Sequence, residues 1–436
     1  MNTTVEIFLW DTRIGIIHQE LNEPYASFEY DKDFISSNIE ISPLEMKLSE
    51  KVYQFPSLTG APFYGLPGLV SDSLPDSFGN KLIENWLAKQ GKSIDEFTAI
   101  DRLCYIGKRG MGALEYKPAS NDLSDDNEAI NVSKMVEFAS DILNKRESVV
   151  LDANEKLTYS QLIQVGSSAG GARAKALIAW NGKTNEVRSG QILLNQDFDY
   201  WLMKFDNVSS NGDHGLEDDS QYTLIEYSYY LMAKDAGIDM SECRIYKDGK
   251  SNHFMTKRFD RVNGRKIHML SLGAMAHINY NNPGECSYEL ASRYMKQIGL
   301  SAKEIEQFYR RMVFNVLAVN QDDHVKNTSF LMDRNGKWYL SPAYDITFAY
   351  NPENKWLRQH QMLINNKMNN INYKDLLEAG KNMEIKEATC KKIINDVQTV
   401  VDKFEVYAAK AGINKEKISA IKTCLEKSFL FNTEDV

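Results

Sequence analysis

The sequence predicts an α+β fold: a small N-terminal α/β unit, then a larger body that mixes strands with helices and ends largely helical. Three observations lead there. A chain of 436 residues is too long for one simple core, so two or three domains are expected. Short alternating or β-branched runs bounded by turn residues interleave with helix-like segments. Near the end, Ile393, Ile394, Val397, Val400, Val401 and Phe404 recur at helical spacing and predict one amphipathic helix with a core-packing face.

The N-terminal unit extends from residue 1 to about 118. Val5–Trp10 and Ile14–His18 read as strands flanking a hairpin turn at Asp11-Thr12-Arg13. Leu82, Ile83, Trp86 and Leu87 give one apolar helix face, and the helix should end near Gly91. Gly110-Met111-Gly112-Ala113-Leu114-Glu115-Tyr116 is a glycine-rich bend entering a strand. Pro118–Glu128 is polar and acidic and is read as a linker.

In the body, Lys175–Trp180 and Tyr200–Phe205 read as strands. Leu224 to Ala236 reads as a helix, with Asp219 or Ser220 as its N-cap. Cys243–Tyr246 and His253–Arg258 flank a further hairpin turn at Lys247-Asp248-Gly249-Lys250. Ile305, Phe308, Met312 and Val316 mark a buried helix leading toward residue 320. After it, Thr328–Met332 and Lys337–Leu340 are strands joined by the turn Asp333-Arg334-Asn335-Gly336.

Hydrophobic content of 43% and charged content of 25% are those of a globular protein that stays in water. A net charge of −9 argues against nucleic-acid binding as a stand-alone activity. Cys104, Cys243, Cys286, Cys390 and Cys424 are odd in number and scattered, which suits structural thiols in a reducing cytoplasm. No signal-peptide pattern or long apolar run is present, so a cytoplasmic protein without membrane contact is expected.

The chemistry concentrates in Asn320-Gln321-Asp322-Asp323-His324-Val325-Lys326-Asn327 and in Pro342-Ala343-Tyr344-Asp345. Asp322 and Asn327 have the spacing of the Asp and Asn in a protein-kinase catalytic loop. There the Asp takes the proton of the attacking hydroxyl and the Asn holds Mg²⁺. Asp345 would be the second metal ligand, since carboxylate and amide oxygens are the hard donors that Mg²⁺ prefers. The hairpin between them should bring Asn327 and Asp345 together. Metal ligation through His324 is an alternative, but no His or Cys recurs nearby at zinc-like spacing.

Two segments are candidates for the nucleotide. Gly166-Ser167-Ser168-Ala169-Gly170-Gly171-Ala172-Arg173-Ala174-Lys175 is a small-residue loop whose backbone could approach phosphates. It is not a Walker A loop, because Ala176 follows Lys175. Lys204 sits inside the apolar strand Trp201–Phe205, where an unpaired ammonium would be costly. It is either the nucleotide-facing Lys of a kinase strand, with Glu226 as a partner, or a strand-end Lys reaching solvent.

Taken together, these segments resemble the HipA family of serine/threonine kinase toxins. The pieces that carry the resemblance, in order, begin with Leu74-Pro75-Asp76-Ser77 with Gly79, Gly112-Ala113-Leu114, and Gly170–Lys175. They continue with Trp201–Asp206, Lys257-Arg258-Phe259-Asp260-Arg261, Asp322–Asn327 with Ser329-Phe330, and Ser341–Asp345. Val319 stands where relatives more often carry Gly.

The resemblance implies a kinase-like body with a largely helical C-terminal lobe behind the N-terminal unit. The expected division is 1–118, a linker region 119–145, a nucleotide-binding part 146–265, and a catalytic-loop and mainly helical part 266–436. It implies ATP and Mg²⁺ as cofactors and Asp322 as catalytic base. Asn327 and Asp345 would be metal ligands, and Lys204, Lys175, Ala169, Gly170, Gly171 and His324 would lie at the nucleotide. Ser168, with Ser167 as neighbour, matches the family's autophosphorylated loop serine, whose phosphorylation turns the kinase off. The implied target is an aminoacyl-tRNA synthetase, glutamyl-tRNA synthetase being the best known. The implied partner is a HipB-like helix-turn-helix antitoxin that carries the DNA contacts. Two further readings stay open: a kinase-like binding module acting as co-repressor, and a kinase of a small molecule or lipid.

Overall fold

The computed structural model describes residues 3–20, 22–119, 128–144, 153–166, 173–192, 194–208 and 221–428. The chain is α+β, with four sheets among the described residues. The first sheet contains β1 (Thr4–Leu9), β2 (Thr12–His18), β3 (Ser27–Tyr30), β4 (Tyr53–Gln54) and β5 (Leu114–Lys117), in the order β4-β3-β2-β1-β5. The β1–β2 turn is Trp10-Asp11, one residue before the expected Asp11-Thr12-Arg13. Both turn residues have positive φ, 50° and 69°, the twist a two-residue hairpin loop requires. Thr12 and Arg13 can then pair in β2. Apolar residues alternate inward: Val5, Ile7 and Leu9 from β1 and Phe28 and Tyr30 from β3 are buried.

The second sheet, ordered β7-β6-β8-β10-β9, is built from β6 (Lys175–Asn181), β7 (Glu186–Ser189), β8 (Asp199–Lys204), β9 (Cys243–Asp248) and β10 (Ser251–Lys257). Helix Ser77–Ala88 packs Phe78, Leu82 and Ile83 into a core shared with this sheet's Ala176, Ile178, Trp201 and Met203. Residues 132–143, inside the segment read as linker, form a helix whose Met135, Phe138 and Ala139 join that same core. Helix Tyr222–Asp235 lies against β9 and β10. Its N-cap is Gln221, without a side-chain capping bond; Asp219 and Ser220 lie outside the described residues.

Short β11 (Arg261–Val262) and β12 (Arg265–Lys266) precede a three-stranded sheet of β13 (His268–Ser271), β14 (Ser329–Met332) and β15 (Trp338–Leu340). Helix Ala302–Leu317 opens on a Ser301/Glu304 capping box and buries Ile305, Phe308 and Met312. The end of the chain is helical, with Tyr373–Asn382, Glu387–Val401, Phe404–Ala411 and Lys415–Ser428. The predicted amphipathic helix stops at Val401, and Phe404 starts the next one. A short break reorients the chain so that Phe404 meets the Tyr229 ring at 6.2 Å. All five cysteines are free thiols. Among the described residues no helix is long and apolar enough to cross a membrane.

The N-terminal unit is joined to the body by specific polar bonds. Asp260 accepts from Arg258 (2.9 and 2.8 Å), from Arg261 (2.8 Å) and from the Gly112 amide (2.8 Å). Arg261 in turn donates to the Gly112 and Gly110 carbonyls. The Lys257–Arg261 and Gly112–Leu114 motifs are therefore two halves of one buried contact. Burial alone would raise the Asp260 carboxyl, but the two guanidinium groups hold it far below the usual carboxylate range. The Asp72 carboxylate accepts from the Ser271 amide and hydroxyl, both at 2.7 Å.

Candidate active site

β6 and β8 are antiparallel neighbours, and their register places Lys175 opposite Lys204. Both lysines are buried within an apolar sheet, which requires compensating charge. Lys204 Nζ donates to Glu226 Oε1 at 2.7 Å and to the Asp345 carboxylate. The strand-end alternative, with Lys204 reaching solvent, is thereby excluded. Burial pushes the Lys204 ammonium down, yet the Asp345 and Glu226 carboxylates outweigh it and hold it above its ordinary value. Burial pushes the Glu226 carboxyl up, against the pull of Lys204. Asp345 is pushed up by burial but ends well below the usual range, because Lys204 and Lys175 face it. It therefore stays ionised.

Lys175 differs from its neighbour. Burial and the adjacent Lys204 charge lower it to about 8, against the partial support of Asp345, Asp76 and Glu226. The two lysines thus sit on one sheet with opposite shifts.

The Asp322 loop is delivered by helix Ala302–Leu317. At its end Val319 turns left-handed, φ 54°, and the Asn320 amide donates to the Asn315 carbonyl at 2.9 Å. A β-branched side chain in this region is strained by about 1–3 kcal/mol. That gives a physical reason for the Gly more usual there. Asp345 is also left-handed, φ 56°. Both sharp turns border the same site.

Asp322 and Asp323 play different parts. In an extended loop successive side chains point to opposite sides. Asp323 points inward and accepts from Tyr288 Oη (2.8 Å), from His360 Nδ1 (3.0 Å) and from the Gln361 amide (2.7 Å). The network continues through Asn315, which donates to Tyr288 Oη, and Asn320, which donates to Asn315. Asp322 is left on the open side, with its carboxylate 3.8 Å from His324 Nε2. The Asn327 side-chain amide donates to the Asp322 carbonyl at 2.9 Å, which fixes the loop. This leaves the Asn327 amide oxygen as the atom able to meet a cation. His324, Asn327 and Asp345 line one small cavity, as the hairpin argument expects.

Asn327 and Asp345 carry the hard oxygen donors that a divalent cation takes. Among the described residues there is no group of three or more His, Cys, Asp or Glu that could hold a metal ion. Lys204 bonds Asp345 and lies beside Lys175 in register, Asp345 shares its cavity with Asn327 and His324, and His324 Nε2 lies 3.8 Å from the Asp322 carboxylate. Ser167, Ser168, Ala169, Gly170 and Gly171 lie outside the described residues. Sequence reasoning missed Asp323 as an anchor, and His360 and Tyr288 entirely. The adjacent acidic pair was the available signal, since two such neighbours cannot both face the cleft. It also missed Asp76, whose carboxylate meets Lys326 Nζ at 2.6 Å.

Comparison with known proteins agrees with this architecture. Residues 5–117 match the HipA N-terminal domain, and residues 167–404 match the HipA-like C-terminal domain. A Haemophilus influenzae protein described as "Putative kinase" is 28% identical over 160 residues, covering 33% of this chain and 47% of its own length. The chain thus spans about half the length of that curated relative. The solved structure of Shewanella oneidensis MR-1 HipA, in complex with HipB and operator DNA, superposes with a TM-score of 0.66 at 17% identity. It covers 97% of this chain and 96% of its own.

Proposed function

This chain belongs to the HipA family, and from that premise we propose that it is an ATP-dependent serine/threonine protein kinase of the toxin type. The observation that carries the reading is Lys204, buried between Glu226 and Asp345, the latter sharing a cavity with Asn327 and His324. A phosphoryl-transfer site needs charge and position more than covalent chemistry. Lys204, oriented by Glu226, meets the phosphates of ATP. Asp322 takes the proton from the acceptor hydroxyl, and His324 stands beside it. Asn327 and Asp345 hold Mg²⁺, which when bound neutralises charge on the phosphates.

Lys175 adds a pH dependence. With its value near 8, it is charged at neutral pH and loses its proton above that. Bound phosphate favours the charged form, so binding above pH 8 must take up a proton. Affinity for ATP-Mg²⁺ is therefore expected to fall, by up to about tenfold per unit, as pH rises beyond 8 toward the ordinary lysine value. Titration calorimetry at pH 7 and 9.5 should show the fall in wild type and its loss in Lys175→Met. For folding the sign is reversed. The penalty of burying a charged Lys175 is fully present below pH 8 and is relieved as pH rises toward 10.5, where the unfolded chain also loses its proton.

The partner reading is a HipB-like helix-turn-helix antitoxin, with DNA reached through it. It is supported by the Shewanella HipA complex and by this chain's net charge of −9. The substrate reading is a component of translation such as an aminoacyl-tRNA synthetase, and self-modification falls on Ser168. The deciding experiment is peptide mass spectrometry of dephosphorylated protein incubated with ATP-Mg²⁺, beside Asp322→Asn. Phosphate on Ser168 in wild type alone supports a self-modifying kinase. Its absence from a protein that binds ATP moves weight to the co-repressor reading or to another acceptor.

A further inference from the structure

We infer that Asp76 is a positioning residue for the catalytic loop: from the N-terminal unit it holds Lys326, and through Lys326 it sets the backbone that presents Asp322 and Asn327. The inference rests on the kinase reading above. Asp76 is the N-cap residue of helix Ser77–Ala88, yet its side chain makes no capping bond. Its carboxylate instead reaches Lys326, 250 residues away, at 2.6 Å. The pair is mostly buried, with the two side chains 12% and 21% exposed.

The geometry around the pair is restrictive. Lys326 belongs to the single turn Val325–Asn327, so moving it moves Asn327. Its carbonyl accepts from Tyr344 Oη at 2.6 Å. The Tyr280 ring lies 5.2 Å from Lys326 Nζ and 5.4 Å from the His324 ring. Asp76 is held on a fixed support, because Asp72 is bonded to Ser271 and the Asn80 side chain donates to the Pro75 carbonyl at 2.9 Å. Lys326 is thus committed to Asp76 rather than offered to a phosphate. The Asp260 and Asp72 contacts end on strands and bends, whereas this one ends on the residue before Asn327. It also gives the Leu74-Pro75-Asp76-Ser77 motif a physical role.

Asp76→Asn is expected to lower kcat by about tenfold or more, with the Kd for ATP-Mg²⁺ within about twofold of wild type. The Lys326 ammonium, left beside a neutral amide, would also destabilise the fold, so Asp76→Asn/Lys326→Met is measured alongside. With the stranded ammonium removed and Asp72 still held by Ser271, the double variant should regain part of the stability while kcat stays low, and Asp76→Glu should restore part of the rate. Wild-type turnover in folded Asp76→Asn, or turnover that returns together with stability in the double variant, would overturn the inference. If the wild type itself turns over no ATP, the kinase reading fails and amide exchange decides this one. Residues 320–327 should then exchange about tenfold faster in both variants, and unchanged protection would overturn it.

Discussion

Asp322→Asn is expected to lower phosphoryl-transfer turnover by about 10²–10⁴-fold, the usual contribution of a positioned general base. Asn keeps the shape of the side chain and removes the proton acceptor. The buried carboxylate of the loop is Asp323, bonded to Tyr288, His360 and the Gln361 amide, so the loop itself should persist. ATP-Mg²⁺ affinity should stay within about twofold of wild type, because Lys204, Lys175, Asn327 and Asp345 are untouched. Steady-state turnover together with calorimetric ATP binding tests this. A variant that binds ATP and turns over at nearly the wild-type rate would remove Asp322 from the base role. Asp323→Asn should behave differently, by lowering stability as well as rate.

Asp260→Ala should produce the largest loss of stability. Its carboxylate is fully buried and bonds two guanidinium groups and the Gly112 amide. Removing it leaves Arg258 and Arg261 beside one another without the carboxylate that bonds them both. Breaking a buried pair in this way costs about 3–5 kcal/mol. That is a large part of the ~5–15 kcal/mol that holds a typical domain folded. Urea unfolding followed by tryptophan fluorescence measures it. A change under about 1 kcal/mol would show that water reaches the two arginines and that the contact is worth little.

Much of the site was legible in sequence because its parts are local. The spacing of Asp322 and Asn327, the helix before them and the hairpin after them all lie within about forty residues. The charged Lys204 inside Trp201–Phe205 left two readings, a buried partner such as Glu226 on the next helix or a strand end reaching solvent, and the Glu226 contact decided between them. The opposite shifts of Lys175 and Lys204 were not legible. They arise from strand register and from which carboxylates happen to lie within reach. The one-residue shift of the first turn, and the end of the late helix at Val401, show the limit of periodicity. It reports a face and leaves its ends to backbone geometry.

The α+β class, the order of most elements and a candidate set of acid, amide and lysine residues can be read along the chain. Hydrophobic period and turn chemistry act over a few residues and can be read without the rest of the chain. Tertiary packing decided which of two adjacent aspartates is buried against Tyr288 and His360 and which stays more exposed. It also decided that Asp260 closes on Gly112 and that Asp76 holds Lys326. A buried charge must be met by another wherever the chain can supply it. These partners stand 148 and 250 residues away, a choice made by packing of the whole molecule.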